Sequence, residues 1–150
     1  MQYTIKPFAA LTNIELYNIL TLRQAIFIIE QTCIYSDLDH KDENAYHLMA
    51  FDGETLIGYL RILEKGIIFD EVSIGRVLIS ESHRGRGIAK EMMGQALNFI
   101  HSKWKEAHVK LSAQTYAIPL YEGVGFQIVS VEYLEDGIPH VDMECKLTPA

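Results

Sequence analysis

The stretch Gly75–Ala89, with the sequence GRVLISESHRGRGIA, leads from an apolar, strand-like segment through a turn with two glycines into a helix. The apolar residues after Gly87 recur at the three-to-four-residue spacing of one buried helix face: Ile88, Met92, Met93, Ala96, Leu97 and Ile100. The first N–H groups of such a helix have no partner within it, and the helix dipole places partial positive charge there. The stretch therefore predicts a strand, a turn and a helix N-terminus that binds an anion through its main chain.

The spacing of the glycines excludes two known kinds of phosphate-binding turn. Gly85 and Gly87 let the backbone adopt positive φ and approach a phosphate closely, while Arg84, Arg86 and Lys90 add positive charge. A P-loop needs a Gly-Lys-Ser/Thr ending, which this chain lacks, and the Rossmann fingerprint needs a third glycine where Lys90 stands. The pattern Arg84-x-x-Gly87-x-Ala89 is thus either another kind of phosphate loop or an ordinary structural turn.

A second block lies downstream. The segment Tyr121–Phe126, YEGVGF, follows a short strand candidate at Leu111–Gln114. Gly125 fits the left-handed residue just past a helix end, with Phe126 returning to the core. Together with the 84–89 turn, this segment resembles the two conserved blocks of the GCN5-related N-acetyltransferase (GNAT) superfamily, in which the first block is the acetyl-CoA pyrophosphate loop.

Further residues extend the resemblance over nearly the whole chain, to the ElaA-like branch of that superfamily. They are Leu22-Arg23, Phe27, Glu30-Gln31, Cys33, Tyr35, Asp37, Asp39, Asp42, His47-Leu48 and residues 133–140. The resemblance implies an enzyme that moves an acetyl group from acetyl-CoA to a primary amine, by direct attack in a ternary complex. A non-catalytic acyl-CoA-binding module with the same fold is the alternative. The acceptor amine, a small molecule or a peptide, stays unidentified.

The same resemblance implies which residues bind the co-substrate: Val77, Ile79, Arg84, Gly85, Arg86, Gly87, Ile88 and Ala89. The N–H groups of the turn would bind the pyrophosphate. The main chain of Val77 and Ile79 would bond the pantetheine arm as if it were an added strand. The N–H of Val77 would also hold the thioester oxygen.

Tyr121 is the implied general acid. A phenol with a pKa of about 10 is protonated at pH 7 and can give its proton to a leaving thiolate. A tyrosine buried at a helix end for packing is the plainer interpretation. The general base stays open among Glu30, His47, Glu71 and His140, of which a histidine has the better-matched pKa.

Two polar features each have two interpretations. Arg76 interrupts an apolar strand, so it either projects into a substrate cleft or extends its charge to solvent from a sheet edge. The acidic segment Asp37–Asp42 lacks the glycine and the final Glu of a calcium loop, and no metal site is expected. It is either a solvated loop or, if it lines the acceptor cleft, a means of attracting a cationic amine.

Composition limits the class of protein. At 150 residues with a formal charge of −7, the chain is expected to be one domain, residues 1–150, that does not bind nucleic acid. It shows no signal sequence and no apolar run of the roughly 20 residues that span a bilayer, so a cytoplasmic protein without membrane contact is expected. Cys33 and Cys145 lie far apart and predict free thiols. A homodimer is possible.

The coarse order of elements is β-α-β-β-β-α-β-α-β-β, which predicts an α+β fold: a mixed, mostly antiparallel sheet flanked by helices. Thr12–Glu15 is a capping box that opens the first helix. The predicted strands are 2–7, 46–51, 55–63, 72–80, 109–113, 126–134 and a last one through His140 to Leu147.

Overall fold

The computed structural model describes residues 1–147. Its strands are β1 (Gln2–Pro7), β2 (Ala45–Asp52), β3 (Thr55–Leu63), β4 (Val72–Ile79), β5 (His108–Gln114), β6 (Phe126–Ile128), β7 (Tyr133–Glu135) and β8 (Ile138–Lys146). Its helices are α1 (Asn13–Arg23), α2 (Ile88–Trp104) and α3 (Ile118–Glu122). The strands form one sheet in the order β1-β2-β3-β4-β5-β8-β6, with β7 paired to β8. Only the β4–β5 pairing is parallel among these, which confirms the predicted mixed, mostly antiparallel α+β fold.

The prediction of one strand over residues 126–134 was wrong. The segment divides into β6 and β7, which pair with different parts of β8. The Ser130 hydroxyl accepts a hydrogen bond from the Asp142 N–H at 2.8 Å, in the place where a regular strand would offer a carbonyl. A serine side chain that replaces a main-chain partner ends the regular pairing there.

The first helix begins as the sequence predicts. Thr12 Oγ1 accepts from the Glu15 N–H at 3.0 Å, and the Glu15 carboxylate accepts from the Thr12 N–H at 2.8 Å, which completes the capping box. After α1 the backbone widens into a π-helical segment, Gln24–Glu30, where the Gln31 N–H reaches the Ile26 carbonyl. Such widened turns often accompany functional sites.

The two faces of the sheet differ in chemistry. One face packs on α2 through apolar side chains, among them Leu48, Leu60, Ile62, Val109, Leu111, Met92, Met93, Ala96 and Ile100. Gly58 allows this close approach, because a Cβ there would stand 2.8 Å from the Met92 sulfur. On the opposite face, Met49, Tyr59 and Leu78 form a second apolar cluster with Ile19, Ile26 and Phe27. Because side chains alternate along each strand, this face also carries polar residues at paired or diagonal positions: His47, Arg61, Ser73 and Ser112.

Strand β4 contains a β-bulge. Arg61 pairs with Gly75 and Tyr59 with Leu78, so Arg76 and Val77 together face one residue of β3. Within the bulge, the backbone of Arg76 adopts the left-handed conformation, with a φ of 53°.

Strands β4 and β5 also separate from each other. Their ladder consists of Val72↔Val109 and Ser73↔Lys110 alone, although both strands continue for several residues. Beyond Ser73, the edge of β4 that faces β5 therefore has no strand beside it. The opening between the two strands is where the candidate site lies.

Among the described helices none is long and apolar enough to cross a bilayer. Cys33 and Cys145 are both buried and unbridged, which confirms the prediction of free thiols.

Candidate functional site

Two cavities meet where β4 and β5 separate. The first, of about 690 Å³, extends from the 84–89 turn and is called here the turn cavity. The second, of about 400 Å³, extends under the segment 33–41 and is called the loop cavity. Their shared wall includes Phe27, Gln31, Val77, Gln114 and Tyr121. A molecule in one cavity can therefore touch a molecule in the other at this wall.

The turn has the geometry predicted for an anion site. Gly85 and Gly87 both have positive φ, 78° and 75°, and Gly87 caps α2 without a side-chain hydrogen bond. No atom lies within 4 Å of a Cβ built on either glycine, so the space before the helix is open. The Ile88 side chain packs into the core, while Ala89 and Lys90 line the turn cavity. The helix N-terminus thus presents its main chain to that cavity.

Arg84 ties this turn to the π-helical segment. Its guanidinium lies 2.9 Å from the Glu30 carboxylate, and its Nε donates to the Ile79 carbonyl at 3.1 Å. Glu30 is thereby placed in the turn cavity, next to the predicted phosphate site. Arg86 is exposed and is not among the residues lining the turn cavity.

Tyr121 lies in the wall that the two cavities share. Its ring is 7% exposed and packs edge-on against Phe126 with 6.1 Å between centroids. Within residues 1–147 no side-chain hydrogen bond engages its hydroxyl. Burial raises the pKa of this phenol well above its ordinary value, so the group keeps its proton at neutral and alkaline pH.

His140 lines the loop cavity. Its Nδ1 lies 2.7 Å from the Ile138 carbonyl oxygen, which can only accept, so Nδ1 carries the hydrogen. In the neutral ring Nε2 then has a free lone pair, and it lies 3.5 Å from a Glu135 carboxylate oxygen. The ring stacks on Tyr133 at 6.0 Å, which fixes its orientation.

The other two candidate bases lie elsewhere. His47 is fully buried; its Nδ1 is 2.6 Å from the Tyr59 hydroxyl and its Nε2 2.9 Å from the Asp42 carbonyl. Burial lowers its pKa, which keeps the ring neutral. Glu71 lies near Lys110, and neither His47 nor Glu71 lines either cavity. The structure thus brings Tyr121 and His140 to one cavity and leaves His47 and Glu71 outside it.

The interpretation of Asp37–Asp42 as a solvated segment was wrong, because Asp37 and Asp42 are buried. Asp39 lines the loop cavity, so the alternative that the segment attracts a cationic amine stays a prediction. The three aspartates of the segment pair with three arginines: Arg23 with Asp37 and Asp42, Arg61 with Asp39 and Asp42, and Arg76 with Asp37 and Asp39. Burial alone would raise the pKa of Asp39 and Asp42. The hydrogen bonds and charges of Arg61 and Arg23 outweigh burial and hold both pKa values below the ordinary range. The carboxylates are therefore neutralised within the fold.

Arg76 belongs to this network. Its Nε lies 2.8 Å from Asp37 Oδ1, and its guanidinium lies over the Tyr35 ring at 5.7 Å. It lines the loop cavity and does not extend to solvent from a sheet edge. That this cavity takes the substrate stays a prediction. Sequence reasoning missed Arg23 and Arg61, although charged residues flanked by apolar neighbours, as in Leu22-Arg23 and Leu60-Arg61-Ile62, are a signal for buried ion pairs.

Within residues 1–147 no group of three or more His, Cys, Asp or Glu side chains is arranged to hold a metal ion.

Known proteins are similar to this chain in sequence and fold. A family model for the acetyltransferase (GNAT) domain matches residues 21–147. Escherichia coli ElaA is 37% identical over 131 residues, 86% of each chain. The crystal structure of E. coli ElaA matches with a TM-score of 0.90 and 33% identity, over 97% of this chain and 99% of that chain.

Two further solved structures are similar. An acyl-CoA N-acyltransferase from Pseudomonas aeruginosa is 38% identical with a TM-score of 0.89, over 97% of this chain and 99% of that one. An aminoglycoside 6'-N-acetyltransferase crystallised with coenzyme A has the same fold, with a TM-score of 0.72 and 13% identity over 98% of each chain.

Proposed function

This chain belongs to the GNAT acetyltransferase family, and on that premise we propose that it transfers an acetyl group from acetyl-CoA to a primary amine in a ternary complex. One observation carries the proposal: the turn cavity and the loop cavity meet at Val77 and Tyr121. Two substrates placed in the two cavities would have their reacting atoms at that wall, as direct transfer requires.

The turn cavity fits acetyl-CoA. The open space before Gly85 and Gly87 suits a pyrophosphate bound by main-chain N–H groups, and Lys90 adds a charge. The free edge of β4 beyond Ser73 suits the amide-containing pantetheine arm, which would bond to Val77 and Ile79 as an added strand. Bound CoA of the aminoglycoside acetyltransferase supports the same donor here.

The β-bulge supports a role for the Val77 main chain. Because Arg76 and Val77 share one partner residue on β3, the N–H of Val77 is displaced from regular pairing at the shared wall. We assign this N–H to the thioester oxygen, where negative charge develops during attack.

Two side chains would move protons. His140 lines the loop cavity, and its Nε2 takes a proton from the acceptor ammonium and passes it to solvent. The neutral nitrogen then forms a bond to the thioester carbonyl carbon, and the carbon–sulfur bond breaks as the intermediate collapses. Tyr121 gives its proton to the departing sulfur, and the proton that the acylated nitrogen must still lose restores the phenol. The products are the N-acetylated amine and free CoA.

The test is to incubate the protein with acetyl-CoA and a panel of primary amines while following release of the CoA thiol. Amine-dependent release, absent without protein, is expected. CoA binding without turnover for the whole panel would instead indicate a non-catalytic acyl-CoA-binding module.

A further inference from the structure

We infer that the acceptor amine also carries a carboxylate, held by Arg61 and Ser73 in the loop cavity, with several bonds between its carboxylate and its reactive amine. The inference rests on the proposed function and deepens it by naming a substrate class.

Three buried side-chain atoms of residues that line the loop cavity make no hydrogen bond to a described residue: Arg61 Nε, Ser73 Oγ and Arg76 Nε. Arg76 Nε still has a charged neighbour, Asp37 Oδ1 at 2.8 Å, which leaves two atoms with no partner of any kind. Arg61 Nε and Ser73 Oγ make no hydrogen bond to any described residue, although their residues are only 1% and 2% exposed. Both residues line the cavity. A buried donor without an acceptor is costly, so a pair of them in one cavity indicates a ligand that supplies oxygen acceptors.

The other two nitrogens of the Arg61 guanidinium already donate hydrogen bonds. Nη1 and Nη2 donate to the two Asp39 oxygens at 2.8 and 2.6 Å, which fixes the plane of the group. Only the Nε–H edge is free. Ser73 lies two residues before Gly75, the register partner of Arg61, so Arg61 and Ser73 are diagonal neighbours on one face of the sheet. A guanidinium edge and a hydroxyl in such positions suit the two oxygens of a carboxylate.

Gly75 leaves space beside this edge. It pairs with Arg61 across β3 and β4 and lines the same cavity. A Cβ at position 75 would have Arg61 Nε as its nearest neighbour, at 4.0 Å, which is ordinary van der Waals contact. A side chain at this position would therefore narrow the approach of a ligand to this nitrogen, although the backbone at Gly75 does not require glycine through a positive φ.

Asp39 and Arg76 also line the cavity, and they are engaged in the ion-pair network. The other charged residues of the cavity divide into a positive and a negative group. Lys41 lines the cavity together with Arg61, whereas Glu135 and Asp136 line it together with His140. An ammonium group is favoured beside Glu135 and His140, and an anion is favoured near Lys41 and Arg61. A molecule with an amine at one end and a carboxylate at the other fits both.

The two ends of the acceptor would be held by different residues of this cavity. Arg61 and Ser73 would hold the carboxylate, whereas His140 and Tyr121 would act on the amine and the leaving group. The class that follows has its two groups at opposite ends: an ω-amino carboxylate or the side-chain amine of a diamino acid, rather than an α-amino acid with both groups on one carbon.

The experiment compares kcat/KM for 6-aminohexanoate, hexylamine and glycine with acetyl-CoA. We expect 6-aminohexanoate to exceed both others at least tenfold. In Ser73→Ala and Gly75→Ala, the ratio of 6-aminohexanoate to hexylamine should fall at least fivefold. Gly94→Ala, within α2 and with no atom within 4 Å of the new Cβ, is the matched control and should keep the ratio.

A second measurement does not depend on turnover. Calorimetric binding of 6-aminohexanoate and of hexylamine to the CoA-saturated protein should show tighter binding of the carboxylate compound, weakened by Ser73→Ala. Equal binding of the two compounds, binding of neither, or an unchanged preference in Ser73→Ala overturns the inference. Carboxylate-dependent binding with no acetylation of any amine would overturn the proposed function alone.

Discussion

Arg76 Nε lies 2.8 Å from Asp37 Oδ1, and this ion pair joins the bulge of β4 to the segment that roofs the loop cavity. The backbone of Arg76 is left-handed, a conformation that costs an ordinary residue about 1–2 kcal/mol. The buried aspartates hold the side chain in return. The position of the neighbouring Val77 N–H therefore depends on a contact to a residue 39 positions earlier in the chain.

Replacing Arg76 by glycine distinguishes the effect of backbone strain at this position from the effect of its ion pair with Asp37. In Arg76→Gly the left-handed conformation is free of cost, so the melting temperature should change little, whereas the bulge loses its anchor to Asp37. We expect kcat to fall at least tenfold and the Kd of CoA to change less than threefold. An unchanged kcat would show that β3 alone fixes the bulge.

Tyr121→Phe tests the proposed acid. Removing the hydroxyl takes away the proton for the departing sulfur, so kcat should fall about 100-fold or more while CoA affinity stays nearly unchanged. Because burial raises the pKa of Tyr121, the wild-type kcat should show no loss from phenol ionisation up to about pH 10. The control is Tyr17→Phe, whose hydroxyl is on the exposed surface of α1. A wild-type kcat in Tyr121→Phe would contradict the assignment.

His140→Gln tests the proposed base. Glutamine cannot accept the ammonium proton, so kcat/KM at pH 7 should fall about 100-fold. The defect should shrink as the pH rises toward the pKa of the acceptor amine, since more of it is then already neutral. The control is His40→Gln, an almost fully exposed histidine. A pH-independent defect would indicate that His140 only shapes the cavity.

Gly58→Ala tests the packing of α2. A Cβ 2.8 Å from the Met92 sulfur forces this side chain to move, and overpacking of this kind costs about 1–3 kcal/mol in the free energy of unfolding. Gly94→Ala, within α2 and free of any clash, should instead stabilise the protein by about 0.5–1 kcal/mol. Urea unfolding of both variants measures the difference. Equal effects would show that the sheet and α2 adjust freely.

The ion-pair network predicts an acid-sensitive fold. The pKa values of Asp39 and Asp42 are lower in the folded than in the unfolded chain, so the unfolded chain binds protons first as the pH falls. The free energy of unfolding should hold its value above about pH 5 and decrease below about pH 4. Urea unfolding at pH 7 and 3.5 measures this decrease. The decrease in the free energy of unfolding should be smaller in Asp39→Asn than in the wild type. In Asp70→Asn, which replaces an exposed aspartate, the decrease should equal that of the wild type.

The parts of the site that the sequence predicted are local. The turn at Gly85 and Gly87 and the helix end at Gly125 depend on glycine spacing within a few residues, and all three have the positive φ expected. The ion-pair network depends instead on contacts across 14 to 39 positions, such as Arg23 to Asp37 and Arg76 to Asp37. Charge signs along the sequence do not reveal such pairings.

The shared wall of the two cavities has a thermodynamic consequence. Ligands that touch the same side chains, Gln31, Val77 and Tyr121 among them, cannot bind independently. If CoA changes the affinity for the acceptor by some factor, the acceptor must change the affinity for CoA by that same factor. Because β4 and β5 separate beyond Ser73 and leave one wall for two cavities, the affinity for either ligand would depend on whether the other is bound.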